Sequence, residues 1–189
     1  MKKLPRKKLT GRFLFALLAF LLIILVSFIS KSYALFFILF LMYLDKTLLS
    51  LFEISWYFGI ELLTIPIICT GILYGPFFGF IMGFIIDKLF DVVRVVVAPP
   101  VTRKVVPLIP TPGSFILGVT GALAGIFAYN LPFVEAVIYL TIVKNVLFIF
   151  KEILMKGTPY VSANALNILF NYFFALLLVK VGIIKFLGI

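Results

Sequence analysis

The sequence contains no histidine and a single cysteine, Cys69, which lies in an apolar run. Histidine is the commonest metal ligand in proteins and the usual general base near neutral pH. Without it, and with one thiol, the chain lacks the usual zinc sites and the Ser-His and Cys-His pairs of nucleophilic enzymes. One cysteine also forms no intrachain disulfide. We therefore expect a protein that is not an enzyme and that uses neither a metal nor a cofactor.

Acidic residues are also scarce, with 7 Asp and Glu against 17 Lys and Arg and a net charge of +10. The basic residues concentrated near the N-terminus are Lys2, Lys3, Arg6, Lys7, Lys8 and Arg12. A basic cluster directly before an apolar run is typical of a cytoplasmic tail beside a membrane. Membrane topology thus accounts for the charge, and nucleic acid is not an expected partner. We predict a basic cytoplasmic tail over residues 1–10 and a single transmembrane helical domain over residues 11–189.

Apolar residues dominate the chain, which is 64% hydrophobic over 189 residues with a mean hydropathy of +1.27. Soluble domains are about half apolar, and a transmembrane helix needs about 20 mostly apolar residues. The apolar runs predict helices over residues 11–29, 34–52, 62–74, 77–97, 114–129, 133–155 and 160–181. Asp45 and Lys46 interrupt the second run, so six and seven spans both stay open. We predict an all-α polytopic membrane protein of the cell membrane, a multi-pass bundle of six core transmembrane helices with or without a seventh at the N-terminus.

Glycines recur every four residues in the stretch IPIICTGILYGPFFGFIMGFIIDKLFD, and the same spacing continues onto Asp87. Residues four apart lie on one helix face, and small residues there let two helices approach closely in lipid. A carboxylate within an apolar run costs roughly 2.5–3.5 kcal/mol, so Asp87 needs a membrane boundary or a partner. Gly75-Pro76 predicts a tight turn between two helices, since proline suits a first helical turn. The predicted helix-packing residues are Gly75, Gly79, Gly83, Asp87, Gly121 and Gly125.

Asparagines share one face of the last predicted helix, at Asn164, Asn167 and Asn171. Amides both donate and accept hydrogen bonds, and polar groups in a membrane bundle usually face its interior. Ligand contact and helix–helix hydrogen bonding are equally good interpretations of this face. Lys144 and Asn145 are the other polar residues that we expect to bind substrate. They fit a carboxylate or phosphate group of a ligand, and pairing with Asp87 or Asp91 is the alternative.

A short polar connection, EISWYFGIE, precedes the third predicted helix. Trp56 and Glu61 in this connection are candidates for a lid over a binding site. Anchoring at the membrane interface explains the tryptophan equally well, because its ring is amphipathic. The candidate substrate-binding residues are therefore Asn164, Asn167, Asn171, Lys144, Asn145, Trp56 and Glu61.

The pattern PI-x3-G-x3-GP-x2-G-x3-G-x3-D occupies Pro66 to Asp87 and is followed by a proline-rich loop that ends in Pro112-Gly113. In this order it resembles the substrate-binding S components of energy-coupling factor (ECF) transporters, over about residues 34–189. The resemblance implies a six-helix subunit that captures a vitamin or similar micronutrient. Its partners would be a transmembrane coupling subunit and ATPase subunits, since this chain has no phosphate-binding Gly-Lys-Ser/Thr loop.

Membrane scaffolds that resemble the rod-shape-determining proteins share a G-x3-G-x3-D helix but need no ligand pocket. The Pro-Gly loop and the asparagine face favour the transporter. The first helix lacks the Ala-x3-Ala face that would meet a coupling subunit, and this lack favours the scaffold. The two interpretations of the loop 98–113 also differ. Six spans put it outside the cell, and seven spans put it in the cytoplasm, where its Arg103 and Lys104 satisfy the positive-inside rule.

Overall fold

The computed structural model describes residues 6–49, 58–97, 109–127 and 130–189, and these ranges contain helices but no strand. In chain order the helices are α1 (Arg6–Ile29), α2 (Tyr33–Thr47), α3 (Thr64–Tyr74), α4 (the consecutive segments Pro76–Ile81, Met82–Ile86 and Asp87–Val97), α5 (Pro112–Phe127), α6 (Phe133–Lys156), α7 (Val161–Lys180) and the short α8 (Ile183–Leu187).

Within the described ranges, three helices are long and apolar enough to cross a membrane: α1 from Gly11 onward, α6 and α7. Helices α3 and α5 are apolar but shorter. Large apolar side chains cover much of the outer surface, and Phe28 and Leu154 are among the most exposed of them. Such a surface suits hydrocarbon, where about 30 Å must be spanned. The chain is therefore an all-helical membrane protein.

Two helix boundaries differ from the prediction by five residues, whereas the other helix boundaries lie within two residues of it. Helix α1 begins at Arg6, so the predicted tail over residues 1–10 is partly helical. Lysine and arginine are good helix formers, and a helix nucleated by an apolar run extends through them at low cost. Helix α2 ends at Thr47, before the end of the predicted run 34–52. With 15 residues it spans about 22 Å, which is less than the hydrocarbon thickness.

The centre of the bundle is formed by α3, α4 and α5, which meet backbone to backbone at glycines. A Cβ atom placed on Gly71 or on Gly79 would lie 2.2 or 2.3 Å from the carbonyl oxygen of Gly121. A Cβ on Gly83 would lie 2.4 Å from the carbonyl carbon of Leu117. These distances leave no room for any side chain. We call this contact of the three helices the glycine interface; it also includes Gly125, whose Cβ would lie 2.4 Å from the nitrogen of Pro76.

Gly75 has a different role from the glycines at the centre of the interface. It joins α3 to α4 with a φ of +90°, a conformation that side-chain-bearing residues rarely adopt, and a Cβ there would meet no atom within 4 Å. Pro76 then occupies the first turn of α4. The turn conformation, rather than close packing of its own face, therefore requires glycine at Gly75.

The π-helical segment Met82–Ile86, which includes Gly83, interrupts α4 directly before Asp87. The sequence spacing puts Gly79, Gly83 and Asp87 on one face, but the structure directs them to different neighbours. Gly79 and Gly83 contact α5, whereas Asp87 pairs with Lys46 of α2. Residues four apart drift by about 40° on an α-helix, and a π turn changes the direction further. Helix α4 can thus pack its first half on α5 and its second half on α2.

The outer helices attach to this centre in two places. Helices α6 and α7 form a hairpin that contacts α3, and α6 also packs against α5. Helix α1 contacts α2 and the Asp87–Val97 segment of α4, and the hydroxyl of Tyr43 donates to the carbonyl of Ala16 at 3.2 Å. Most side chains of α1 face outward. Helix α1 is therefore peripheral, and α2 to α7 surround the core.

Candidate functional site

A buried lysine lies at the junction of α3, α6 and α7. Lys144 is 1% exposed, and its ammonium group donates to the carboxylate of Glu61, to Oγ1 of Thr64 at 2.6 Å and to Oδ1 of Asn167 at 2.9 Å. An ammonium group has three donors, so all three are used. Thr64 also donates to the carboxylate of Glu61. A buried charge is tolerated in this position because it is both paired and hydrogen-bonded.

The segment over residues 58–63, which carries Glu61, is not helical and is attached to α7. Gly59 has a φ of +62°, and a Cβ there would lie 2.1 Å from the carbonyl oxygen of Ala163. Its own carbonyl accepts from Nδ2 of Asn167 at 2.7 Å. Glycine is thus required both by the conformation and by the close approach to α7. This attachment brings Glu61 to Lys144.

Asn167 is the hydrogen-bonding centre of the group. Its Oδ1 accepts from Lys144 and from Nδ2 of Asn145 at 3.1 Å, while its Nδ2 donates to Gly59. Asn145 also donates to the backbone carbonyl of Asn164 at 3.1 Å. We call Glu61, Thr64, Lys144, Asn145 and Asn167 the polar network. It ties α3, α6 and α7 together through side chains.

Asn171 and Thr141 extend the polar faces of α7 and α6 by one turn. Both side chains are fully buried. Asn171 donates from Nδ2 to the carbonyl of Asn167 at 2.9 Å, but its Oδ1 has no hydrogen-bond partner among the described residues, and neither has Oγ1 of Thr141. A buried polar atom without a partner costs roughly 1–3 kcal/mol. Both atoms therefore carry an uncompensated desolvation cost about one helical turn from the buried ammonium group of Lys144.

The predicted substrate-binding residues thus fall into three groups. Lys144, Asn145, Asn167 and Glu61 come together in the polar network, and Asn171 lies one turn away. Asn164 lies at the edge of the group, because its side chain donates to the carbonyl of Tyr160 in the preceding turn and only its backbone meets Asn145. Trp56 lies outside the described residues.

The alternative in which Lys144 pairs with Asp87 or Asp91 is not realised. These carboxylates belong to a second buried group, which we call the ion cluster. Lys46 of α2 lies 2.7 Å from Asp87 and 2.8 Å from Asp91, and Lys88 lies 2.5 Å from Asp91. Two lysines and two aspartates balance in charge. Asp87 therefore has the partner that a carboxylate in an apolar run requires, and the partner is one of the two charges that interrupt the second apolar run.

Thr64, Gly59 and Lys46 are site residues that the sequence interpretation missed. Thr64 lies near the start of the third predicted helix, a place where threonine is common. Gly59 stands between aromatic residues and Glu61 in a connection, where a glycine often permits close backbone contact. Lys46 is a charge within an apolar run and so requires a buried partner. Each signal was present, but none indicates which partner is met in space.

Two apolar grooves lie between α5 and α6, away from the polar network. One has a volume of about 250 Å³ and includes Leu123, Tyr139 and Val143; the other has about 580 Å³ and includes Phe115 and Lys151. Neither is lined by a member of the polar network. Within the described ranges, no group of three or more Cys, Asp or Glu side chains could hold a metal ion. The polar network is therefore the best candidate for a functional site.

Comparison of the chain with protein-family models, with curated proteins and with solved structures gives no match. The functional argument consequently rests on the geometry of the polar network and on the motifs of the sequence.

Proposed function

We propose that this chain is the substrate-binding membrane subunit of an energy-coupling factor transporter. In this role it captures a vitamin or similar micronutrient, and a transmembrane coupling subunit with ATPase subunits drives the uptake. The protein would be a multi-pass protein of the cell membrane with α2 to α7 as the six core helices and the peripheral α1 as an addition. The Pro-Gly motif that supports the resemblance stands at the start of α5, whose first residue is Pro112.

The observation that carries the proposal is the buried Lys144 among amide side chains. Ionisable residues inside a membrane bundle are costly, and they usually mark a substrate or ion path. Lys144 lies between three helices, and Asn145 and Asn167 beside it offer both donors and acceptors. A charged, hydrogen-bonding site suits recognition of a small polar solute.

Native mass spectrometry of the gently purified protein tests this function. We expect a co-purified small molecule near one copy per chain, and gentle purification from the native host should also recover a coupling subunit and ATPases. Lys144→Gln should lose the small molecule, whereas Lys151→Gln on the same helix should retain it, because Lys151 lies over the ring of Phe148 and outside the polar network. An empty wild-type protein whose melting temperature ignores a vitamin panel would contradict the proposal.

A membrane scaffold without ligand transport is the second candidate. The observation that favours it is that all three donors of Lys144 are already bonded within the protein. In a scaffold the polar network would serve only to join helices. The same experiment separates the two candidates, because a scaffold would purify without a small molecule and with neither ATPases nor a coupling subunit.

A further inference from the structure

Glu61 differs from the other partners of Lys144 in charge, exposure and location. It is the only anion among the three, and its side chain is 32% exposed, compared with 2% for Lys144. It lies on the non-helical segment 58–63, whereas Thr64 and Asn167 lie on helices. Glu61 is therefore the partner that can turn away from Lys144 without unfolding a helix. Asn167 and Thr64 would stay in place.

The charge balance at Lys144 restricts what could replace Glu61. A buried ammonium group that loses its only anionic partner is strongly destabilised, so the group that enters must carry negative charge. A monocarboxylate restores neutrality, as Glu61 does now. A phosphate dianion would leave an excess negative charge in a buried position. The pairing of Lys144 thus favours a carboxylate as the incoming group.

The register of the α6–α7 hairpin indicates what lies next to this position. The amide of Tyr160 donates to Glu152 at 2.9 Å, and Asn145 meets Asn164 and Asn167, so each step back along α6 corresponds to a step forward along α7. Continuing this antiparallel register brings Thr141 to the level of Asn171.

Oδ1 of Asn171 and Oγ1 of Thr141, two of the buried atoms without a hydrogen-bond partner among the described residues, therefore lie at one level. This level is about one helical turn, or roughly 5 Å, from Lys144. Oδ1 of Asn171 can only accept a hydrogen bond, so it suits an N–H or O–H group of a ligand.

We propose that Glu61 is an internal counter-ion which the carboxylate of the substrate displaces from Lys144, and that the same substrate donates a hydrogen bond to Asn171. The substrate class is a small organic monocarboxylate with an N–H or O–H group about one helical turn from its carboxylate. This inference rests on the proposed function. The displaced Glu61 turns to the solvent side, and Thr64 and Asn167 then bond to the bound carboxylate–ammonium pair.

Matched acid and neutral compounds test the substrate class. We would measure dissociation constants and melting temperatures of the full chain in nanodiscs of neutral lipid with nicotinate and nicotinamide, biotin and biotin amide, and pantothenate and panthenol. The bound acid should raise the melting temperature, and its neutral counterpart should not. Native mass spectrometry of the wild-type protein identifies the co-purified compound independently of the panel.

Glu61→Gln tests the counter-ion role. Its amide oxygen can still accept from Lys144 but cannot neutralise it, so the acid meets a weaker competitor and should bind about tenfold more tightly, equivalent to roughly 1.4 kcal/mol. Glu152→Gln is the matched control and should bind as the wild type does, because Glu152 contacts Tyr160 and not the polar network. Asn171→Leu should weaken binding of the acid at least tenfold. This variant tests the same binding mode without a change at Lys144, which could prevent folding.

The outcomes separate the inference from the proposed function. A tightly bound neutral compound, a bound phosphate ester, or weaker acid binding in Glu61→Gln would overturn the counter-ion inference while the transport function stands. A wild-type protein that carries no compound and responds to none of the six ligands would overturn both. A co-purified monocarboxylate whose affinity rises in Glu61→Gln and falls in Asn171→Leu would support both.

Discussion

The glycine interface and the polar network hold adjacent parts of the same bundle by opposite means. At the glycine interface, backbone atoms of α3, α4 and α5 approach so closely that a Cβ on Gly79 would lie 2.3 Å from the carbonyl oxygen of Gly121. At the polar network, α3, α6 and α7 are joined by long side chains, with Lys144 reaching Thr64 at 2.6 Å and Asn167 at 2.9 Å. Backbone contact fixes one region, and side-chain hydrogen bonds join the other.

The two regions differ in whether a ligand can replace their contacts. Two backbones in contact have no alternative arrangement that preserves the packing, so α3, α4 and α5 can serve as a rigid base. A hydrogen bond between two side chains can be replaced by a hydrogen bond from a ligand, provided that every buried donor and charge still has a partner. We infer that the glycine interface provides stability and the polar network provides recognition. Substitutions that act on stability in one region and on binding in the other test this division.

Gly79→Leu should have the largest effect. The new side chain would collide with the carbonyl of Gly121, and neither backbone can yield without separating α4 from α5. Overpacking costs about 1–3 kcal/mol even where side chains can adjust, so we expect a loss above about 3 kcal/mol or no folded protein. Melting temperature and monodispersity in detergent measure the loss. Gly11→Leu is the control, since a Cβ there meets no atom within 4 Å. Equal stability of the two variants would contradict the inference that α3, α4 and α5 form a rigid base.

Lys46→Met should have the next largest effect, on stability alone. It leaves Asp87 and Asp91 buried at 3% side-chain exposure, with Lys88 as the remaining lysine of the ion cluster. Breaking a buried pair by removing one partner costs about 3–5 kcal/mol, and the low end applies because Lys88 remains. Thermal unfolding measures the loss, and Lys180→Met at the exposed end of α7 is the control. Ligand affinity of the fraction that folds should match that of the wild type; a change of tenfold would show that the ion cluster takes part in binding.

Asn167→Leu should reduce both stability and binding. The leucine cannot accept from Lys144 or Asn145, and it cannot donate to Gly59. Each unsatisfied partner costs roughly 1 kcal/mol or more, so we expect the free energy of unfolding to fall by about 2–3 kcal/mol. Affinity for the co-purified ligand should fall at least tenfold.

Asn164→Leu is the matched control for Asn167→Leu, because the side chain of Asn164 bonds to the carbonyl of Tyr160, directly before its own helix, and not to the polar network. Its stability should change by less than about 0.5 kcal/mol. If both variants bind the ligand as the wild type does, the polar network only joins helices and does not bind the ligand.

Much of the helical pattern could be predicted from the sequence, because apolar run length and proline position act locally. The turn at Gly75-Pro76 and the start of α6 at Phe133 follow from such signals. The long-range pairings could not be predicted in this way. Glu61 and Lys144 are 83 residues apart, and helical spacing shows which residues share a face but not which faces meet. The π turn in α4 also separates Asp87 from the glycine face, and nothing in a four-residue repeat reveals it.

Asn171→Leu should weaken ligand binding while the stability of the protein stays the same or rises slightly. The amide oxygen of Asn171 is buried without a partner among the described residues, so replacing it with an apolar group of similar size removes a desolvation cost. The lost bond from Nδ2 to Asn167 offsets part of this gain, and we expect a change between about zero and 1 kcal/mol toward higher stability. If Asn171 accepts a hydrogen bond from the substrate, affinity for the acid should fall while the melting temperature of the empty protein holds or rises. A clear loss of stability with unchanged affinity would instead make Asn171 a packing residue, and the recognition site would then end at Asn167.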